Sequence, residues 1–233
     1  MRICFVTSLF SGDIMKIPDT PLKFKKMENY DYFLFTNIEK KNFNTSWEII
    51  NLDFDYPNSV IKSRVPKFQI WEIEMLKDYE IIIYCDAYFS PIYNVEGWNK
   101  IVEQVKNSKN GIVQSKNPYR NCAYKECDEL VRLKKESLER MELTKNFLNA
   151  KKLPKNFGLW RNTFLCYDKN NKTVKILFDK LWGLYKDNKY TYRDQPLYSL
   201  ASFLTNITPE EVFCKKLDHT YFYLGKRGNH TYI

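Results

Sequence analysis

The chain has 233 residues, 44% hydrophobic and 16% aromatic, enough for one large α/β domain with a substantial core. Seven glycines against 17 tyrosines and 16 phenylalanines, with no GxGxxG and no P-loop lysine, leave no glycine-rich phosphate loop, so any bound phosphate must be met by a metal or cationic side chains. The formal charge of +9 points to an anionic partner: a nucleotide, a nucleic acid, a phospholipid surface or an acidic glycan.

Arg2–Ser8 reads as a first strand, followed by a loop around Gly12. Tyr30–Thr36 and the shorter Trp47–Ile50 read as the next two. Ser63 is placed to cap a helix from about Arg64 to Lys77, with Pro66 in its first turn, where a missing N–H does no harm. The apolar run Ile81-Ile82-Ile83-Tyr84-Cys85 then closes on Asp86, the pattern of a fully buried strand with one carboxylate at its exit. Val95, Trp98, Ile101, Val102 and Val105 recur at helical spacing, and Gly111–Gln114 reads as a strand. From Tyr124 to about Lys151 the spacing predicts one long amphipathic helix or a pair. Leu159–Tyr167 reads as a strand, Val174 to Tyr185 and Asp194–Phe203 as helices, and Glu211–Leu217 as a late strand. Strands alternating with helices, with no Pro/Gly/Ser linker, predict one domain over 1–233: a mainly parallel central sheet flanked by helices, with 219–233 a flexible lid or tail.

Six cysteines (Cys4, Cys85, Cys122, Cys127, Cys166 and Cys214) include no CxxC, and three lie in strand-like runs. They read as reduced, buried thiols of a cytoplasmic protein. No nearby histidine completes a zinc site at Cys122 and Cys127. The first ten residues are too short and too soon interrupted for a signal peptide, and no run approaches a membrane span.

Ligands of open α/β sheets sit just outside the carboxyl ends of the strands, where Asp86 falls. A carboxylate there can hold a divalent cation against phosphates; it can equally start a turn or cap a helix. The two histidines, His219 and His230, flank Leu224-Gly225-Lys226-Arg227-Gly228. This segment offers an imidazole ligand and Lys226 as a diphosphate contact, or is simply a basic tail. Arg64 and Lys67, three apart, share a helix face just before the Asp86 strand. That face either aims cations at a nucleotide or is merely solvated. In Asn117-Pro118-Tyr119-Arg120, an Asn-Pro turn carries an arginine able to clamp an anion. Asp194, in Tyr192-Arg193-Asp194-Gln195, is a general base or a helix cap. Trp160 and Asn162 either line a sugar pocket or, for the tryptophan, fill the core.

In order and spacing, Arg64-Val65-Pro66-Lys67, Tyr84-Cys85-Asp86, Asn117 to Glu126, Leu159-Trp160-Arg161-Asn162 and Arg193-Asp194-Gln195 resemble one glycosyltransferase family. This is the GT-A-like family of plant wall-polysaccharide enzymes and large-virus capsid glycosyltransferases, formerly a domain of unknown function. The resemblance runs from about Tyr30 to Leu204. It implies a GT-A (Rossmann-like) fold, a nucleotide-diphosphate sugar donor with UDP favoured, a glycan or glycoprotein acceptor, and Mn²⁺ (or Mg²⁺). Asp86 would be the surviving member of a DxD-type metal motif, with Tyr84 at its first acidic position.

On that basis Asp86 and His219 are the expected metal ligands, and Thr7, Ser8, Arg64, Lys67 and Lys226 the donor contacts. Arg120, Trp160, Asn162, Arg193 and Gln195 are expected to bind substrate, with Asp194 as general base. The expectation includes no nucleic-acid partner and no transmembrane segment, with peripheral membrane contact left open. The rival readings are a catalytically degenerate scaffold or binder on the same fold, and a basic nucleic-acid-binding protein.

Overall fold

The computed structural model describes residues 1–13, 18–214 and 217–227. The strands are β1 (Ile3–Leu9), β2 (Asp31–Thr36), β3 (Glu48–Asn51), β4 (Ile81–Cys85), β5 (Phe89–Pro91), β6 (Ile112–Gln114), β7 (Phe164–Asp168), β8 (Glu210–Glu211) and β9 (Phe222–Leu224). Seven of them form one sheet in the order β3-β2-β1-β4-β7-β6-β8; β5 and β9 make a separate ribbon. The pairs β1/β2, β1/β4, β2/β3 and β6/β8 are parallel, while β7 runs antiparallel to both β4 and β6. The mainly parallel sheet expected from the sequence is therefore present, with one reversed strand, β7, between β4 and β6. Each of β1 and β4 is buried along its whole length, so β4 reads as an unbroken apolar run and β1 as one broken only by Thr7 and Ser8 near its end.

The helices are α1 (Ser59–Lys62), α2 (Val65–Phe68), α3 (Val95–Asn107), α4 (Ala123–Arg132), α5 (Leu138–Ala150), α6 (Lys172–Tyr185), α7 (Asp194–Thr205) and α8 (Leu217–Tyr221). Two buried clusters lie on opposite faces of the sheet. One gathers α2, α4, α6 and α7 around Phe68, Phe178 and Tyr198. The other gathers α3 around Trp98, whose ring meets Phe5, Tyr221 and Phe222 edge-on. Helices thus cover both faces, as the alternating pattern requires.

Three expected elements differ. The helix expected over Arg64–Lys77 is broken into α2 and two 3₁₀ turns, Ile70–Glu72 and Glu74–Leu76. Val65, Phe68, Ile70, Ile73 and Leu76 are all buried, and their spacing of two to three residues fits a tighter, turning path better than one face of an α-helix. Ser63 caps no helix N-terminus there; it follows α1 and donates to the Val60 carbonyl. The late strand shrinks to β8, and Leu217 opens the helix α8. Residues 159–163 precede β7 as an irregular segment tied to 115–117 through Arg161 N–H to Ser115 O and Asn117 N–H to Leu159 O, each 2.8 Å. The β5/β9 ribbon was not legible in the sequence. The charged stretch after Tyr124 resolves into the pair α4 and α5.

All six cysteines are unpaired, and all but Cys214 are buried. Among the described residues no helix is long and apolar enough to cross a membrane.

Candidate functional site

A cleft of about 210 Å³ opens at the carboxyl ends of β1 and β4. Its walls include Ser8, Ser63, Arg64, Tyr84, Asp86, Tyr88, Arg193 and Arg227. Asp86 follows directly on β4, and its backbone N–H is fixed by the Thr163 carbonyl at 3.0 Å. Its side chain is 23% exposed, so the carboxylate faces the cleft while resting on buried groups.

Behind it lies a buried ionic knot. Lys67, 2% exposed, donates from Nζ to Asp194 Oδ2 at 2.9 Å and stands 3.6 Å from Asp86 Oδ1. Arg64 Nε lies 3.0 Å from the same Asp194 oxygen. Asn162 Nδ2 donates to the other oxygen, Oδ1, at 3.0 Å, and Gln114 Nε2 donates to Asn162 Oδ1 at 2.6 Å. Segments separated by 127 residues in sequence are joined this way in the protein interior.

Burial by itself would raise the Asp194 pKa, but Lys67 and then Arg64, with hydrogen bonds from Lys67 and Asn162, hold it at about 2. Burial would lower the Arg64 pKa, and Asp194 above all keeps it above its ordinary value instead. Burial, reinforced by the neighbouring Asp86, pushes the Tyr84 phenol well up, so it remains a neutral hydroxyl. That hydroxyl lies 3.1 Å from Ser8 Oγ and makes a long 3.5 Å contact to Asp86 Oδ1. Ser8 Oγ in turn donates to the Ser63 carbonyl at 2.6 Å.

Ser8, Arg64, Lys67, Asp86, Asn162, Arg193 and Asp194 are therefore brought to one place, from β1, the α1–α2 turn, α2, the exit of β4, the segment before β7 and the start of α7. Asp194 is the first residue of α7, where a negative charge also complements the helix N-terminus. Arg193, just before it, is set by a turn buckled onto buried Glu136. Glu136 Oε1 accepts from Thr191 Oγ1 at 2.8 Å and from Tyr192 N–H at 2.6 Å.

Other expected residues lie elsewhere. Thr7 is wholly buried within β1 and does not line the cleft. Arg120 is held at 2.7 Å by Glu126 and at 3.6 Å by Glu129, both on α4, and Asn117 closes its turn by accepting from the Tyr119 and Arg120 amides. Trp160 is 4% exposed and packs with Phe157 and Tyr198, the core role weighed for it from sequence. Gln195 supports it by donating to the Trp160 carbonyl at 2.7 Å. His219 is exposed on α8, outside the cleft lining, and His230 lies outside the described residues.

Lys226 is exposed and is displaced from the cleft by its neighbour Arg227. Here an extended segment runs beside residues 18–20 through Thr20 N–H to Lys226 O at 2.9 Å and the Asp19/Arg227 bridge. In such a segment successive side chains face opposite ways, so only one of the two can enter the cleft. Arg227 also lies over the Tyr88 ring, 5.1 Å from its centre. Gly225 makes this crossing feasible: a Cβ there would stand 1.9 Å from the Thr20 carbonyl oxygen. Gly225→Ala is expected to lift the 222–227 segment and raise tryptic cleavage after Lys226 and Arg227 several-fold; an unchanged digestion rate would show that the crossing tolerates a side chain.

The fit to a divalent cation is poor. Among the described residues no group of three or more His, Cys, Asp or Glu side chains is gathered to hold a metal ion. Asp86 contributes one carboxylate, and the Lys67 ammonium already stands beside it.

No family model and no curated protein matches this sequence. Solved structures similar to this chain include two glycosyltransferases. Mouse xyloside xylosyltransferase 1 in its apo form is 10% identical, with 91% of this chain and 85% of that one covered and a TM-score of 0.47. The WbbM bifunctional glycosyltransferase in its apo structure is 11% identical, with 86% of this chain covered and a TM-score of 0.52. This chain spans 37% of the WbbM chain. With the sheet order and the reversed strand β7, the likeness to WbbM shows a GT-A-like fold. At such identities it shows the fold alone.

Proposed function

We propose that the protein is a glycosyltransferase that moves a sugar from a nucleoside-diphosphate donor to a hydroxyl of a glycan or glycoprotein. One observation carries this reading. The carboxylate of Asp86 sits at the mouth of β4 in a cleft also lined by Arg64, Arg193, Arg227 and Asp19, in the crevice where α/β sheets bind their ligands. The likeness of the fold to WbbM, and the order of the sequence motifs, support it. UDP is the favoured donor nucleotide.

In the transfer, the acceptor oxygen bonds to the anomeric carbon as the bond from that carbon to the diphosphate oxygen breaks. The electron pair leaves with the phosphate, where the guanidinium groups stabilise the growing charge. The acceptor proton passes to Asp86, whose carboxylate edge reaches the cleft. Asp194 is poorly suited to the proton-accepting role expected from sequence, because Lys67, Arg64 and Asn162 occupy both of its oxygens. Its role is to hold the two cations in place. Ser8 and Tyr84 form the floor beside the nucleotide.

Hydrolysis of nucleotide sugars without acceptor, followed across UDP- and GDP-sugars, tests the activity. Turnover of one donor, accelerated by a glycan acceptor, is the expected result. Donor binding without any turnover would favour a catalytically degenerate binder, and neither binding nor turnover would remove the transferase reading.

A further inference from the structure

The segment after α8 is fastened at three points. β9 pairs with β5 through Phe89/Leu224, Ser90/Tyr223 and Pro91/Phe222. Gly225 N–H donates to the Tyr88 carbonyl at 2.7 Å, and an antiparallel backbone bridge pairs Asp19 with Arg227 through the Thr20 N–H to Lys226 carbonyl hydrogen bond. This strap delivers Arg227 to the cleft that Arg64 and Arg193 also line. Three guanidinium groups from three distant parts of the chain therefore line one cleft with two aspartates, Asp86 beside β4 and Asp19 on the segment that meets the strap. Outside the cleft lining, burial first and then the charges of Arg227 and Arg193 lower the pKa of Lys135, against the opposing pull of Glu126 and Glu129. Mutual repulsion of this kind is relieved by an anion.

Around Asp86 the balance is different. Its charge is met by Lys67 at 3.6 Å, and the nearest other carboxylate of the knot, Asp194, is buried and paired with Lys67 and Arg64. A divalent cation entering here would compete with the Lys67 ammonium, and among the described residues no group of three or more His, Cys, Asp or Glu side chains is gathered to hold it. A diphosphate would instead meet planar guanidinium forks that match its oxygens in pairs.

We infer that the donor diphosphate is held and neutralised by Arg227 together with Arg64 and Arg193, and that this replaces a divalent cation on Asp86. The inference rests on the donor-site reading proposed above and departs from the Mn²⁺ dependence expected from the sequence resemblance. When the bond to the anomeric carbon breaks, the electron pair arriving on the phosphate oxygen is stabilised by arginine N–H groups, and no redox partner or further co-reactant is needed.

Isothermal titration with UDP, GDP, ADP and CDP, in EDTA and then in Mn²⁺, separates the alternatives. One nucleoside diphosphate is expected to bind in EDTA, with an affinity that Mn²⁺ changes by less than about threefold, while Arg227→Ala weakens it about tenfold or more. Arg227→Lys keeps the charge but not the fork and is expected to fall between the two. Circular dichroism of each variant checks that it is folded. Asp86→Asn gives the sharpest contrast. Removing a negative charge leaves binding intact or tightens it if the arginines hold the diphosphate, and abolishes it if a metal on Asp86 does. Binding that requires Mn²⁺ and is lost in Asp86→Asn would overturn the inference and leave the donor site standing. No binding of any of the four under either condition would overturn both.

Discussion

Asp194→Ala is expected to destabilise the protein by about 3–5 kcal/mol, the usual consequence of removing one partner from a buried charge cluster. Lys67 is 2% exposed and Arg64 lies beside it, so both would remain in the interior with Asp86 as the surviving counter-charge at 3.6 Å. Asn162, freed from Asp194, would lose its acceptor as well. In a domain of this size each 1 kcal/mol moves the melting temperature by roughly 2–4 °C, so a fall on the order of 6–20 °C should be seen. Adding Lys67→Met to Asp194→Asn should return part of the loss, because an apolar side chain needs no counter-ion. A loss under about 1 kcal/mol in Asp194→Ala would show that the knot carries little of the fold's stability.

The same group sets an acid limit. The Asp194 carboxyl is held at about 2, below its ordinary 3.8, so its contribution is fully present above about pH 4 and is lost as the pH falls towards 2. A shift of that size corresponds to about 2 kcal/mol. Denaturant midpoints measured between pH 5 and pH 2 should therefore fall less steeply in Asp194→Asn than in the wild type.

Asp86→Asn is expected to lower sugar transfer by about 10²–10⁴-fold, the range for loss of a positioned general base. Stability should change little, since Lys67 keeps its closer partner Asp194 at 2.9 Å and the asparagine fills the same space beside Tyr84. The two carboxylates are thus expected to separate cleanly: Asp194 variants lose stability, and Asp86 variants lose turnover while retaining the nucleotide. Activity within tenfold of wild type in folded Asp86→Asn would place the proton acceptor elsewhere.

The buried strands are legible because burial on both faces concentrates apolar residues into short runs: the expected β1, β2 and β4 agree with the structure within a residue or two. The position of Asp86 followed from that alone. Helices α3 and α6 declared themselves by apolar spacing, since each packs a single face onto the sheet. The stretch from Arg64 to Lys77 misled because its apolar residues face the core from a turning backbone, which no single period describes. The β5/β9 ribbon was invisible because three-residue strands are stabilised by a partner 130 or more residues away rather than by their own pattern.

Residue types and order along the chain singled out Arg64, Lys67, Asp86 and Asp194 as the groups able to do chemistry. Tertiary structure alone decided their roles. Whether a carboxylate is buried and paired or open to the cleft depends on which distant cation reaches it, so Asp194 became the anchor of Lys67 and Arg64 while Asp86 kept an exposed edge. Whether Lys226 or Arg227 enters the cleft depends on the register of one extended segment against residues 18–20, and a one-residue change in register turns every side chain to the other face.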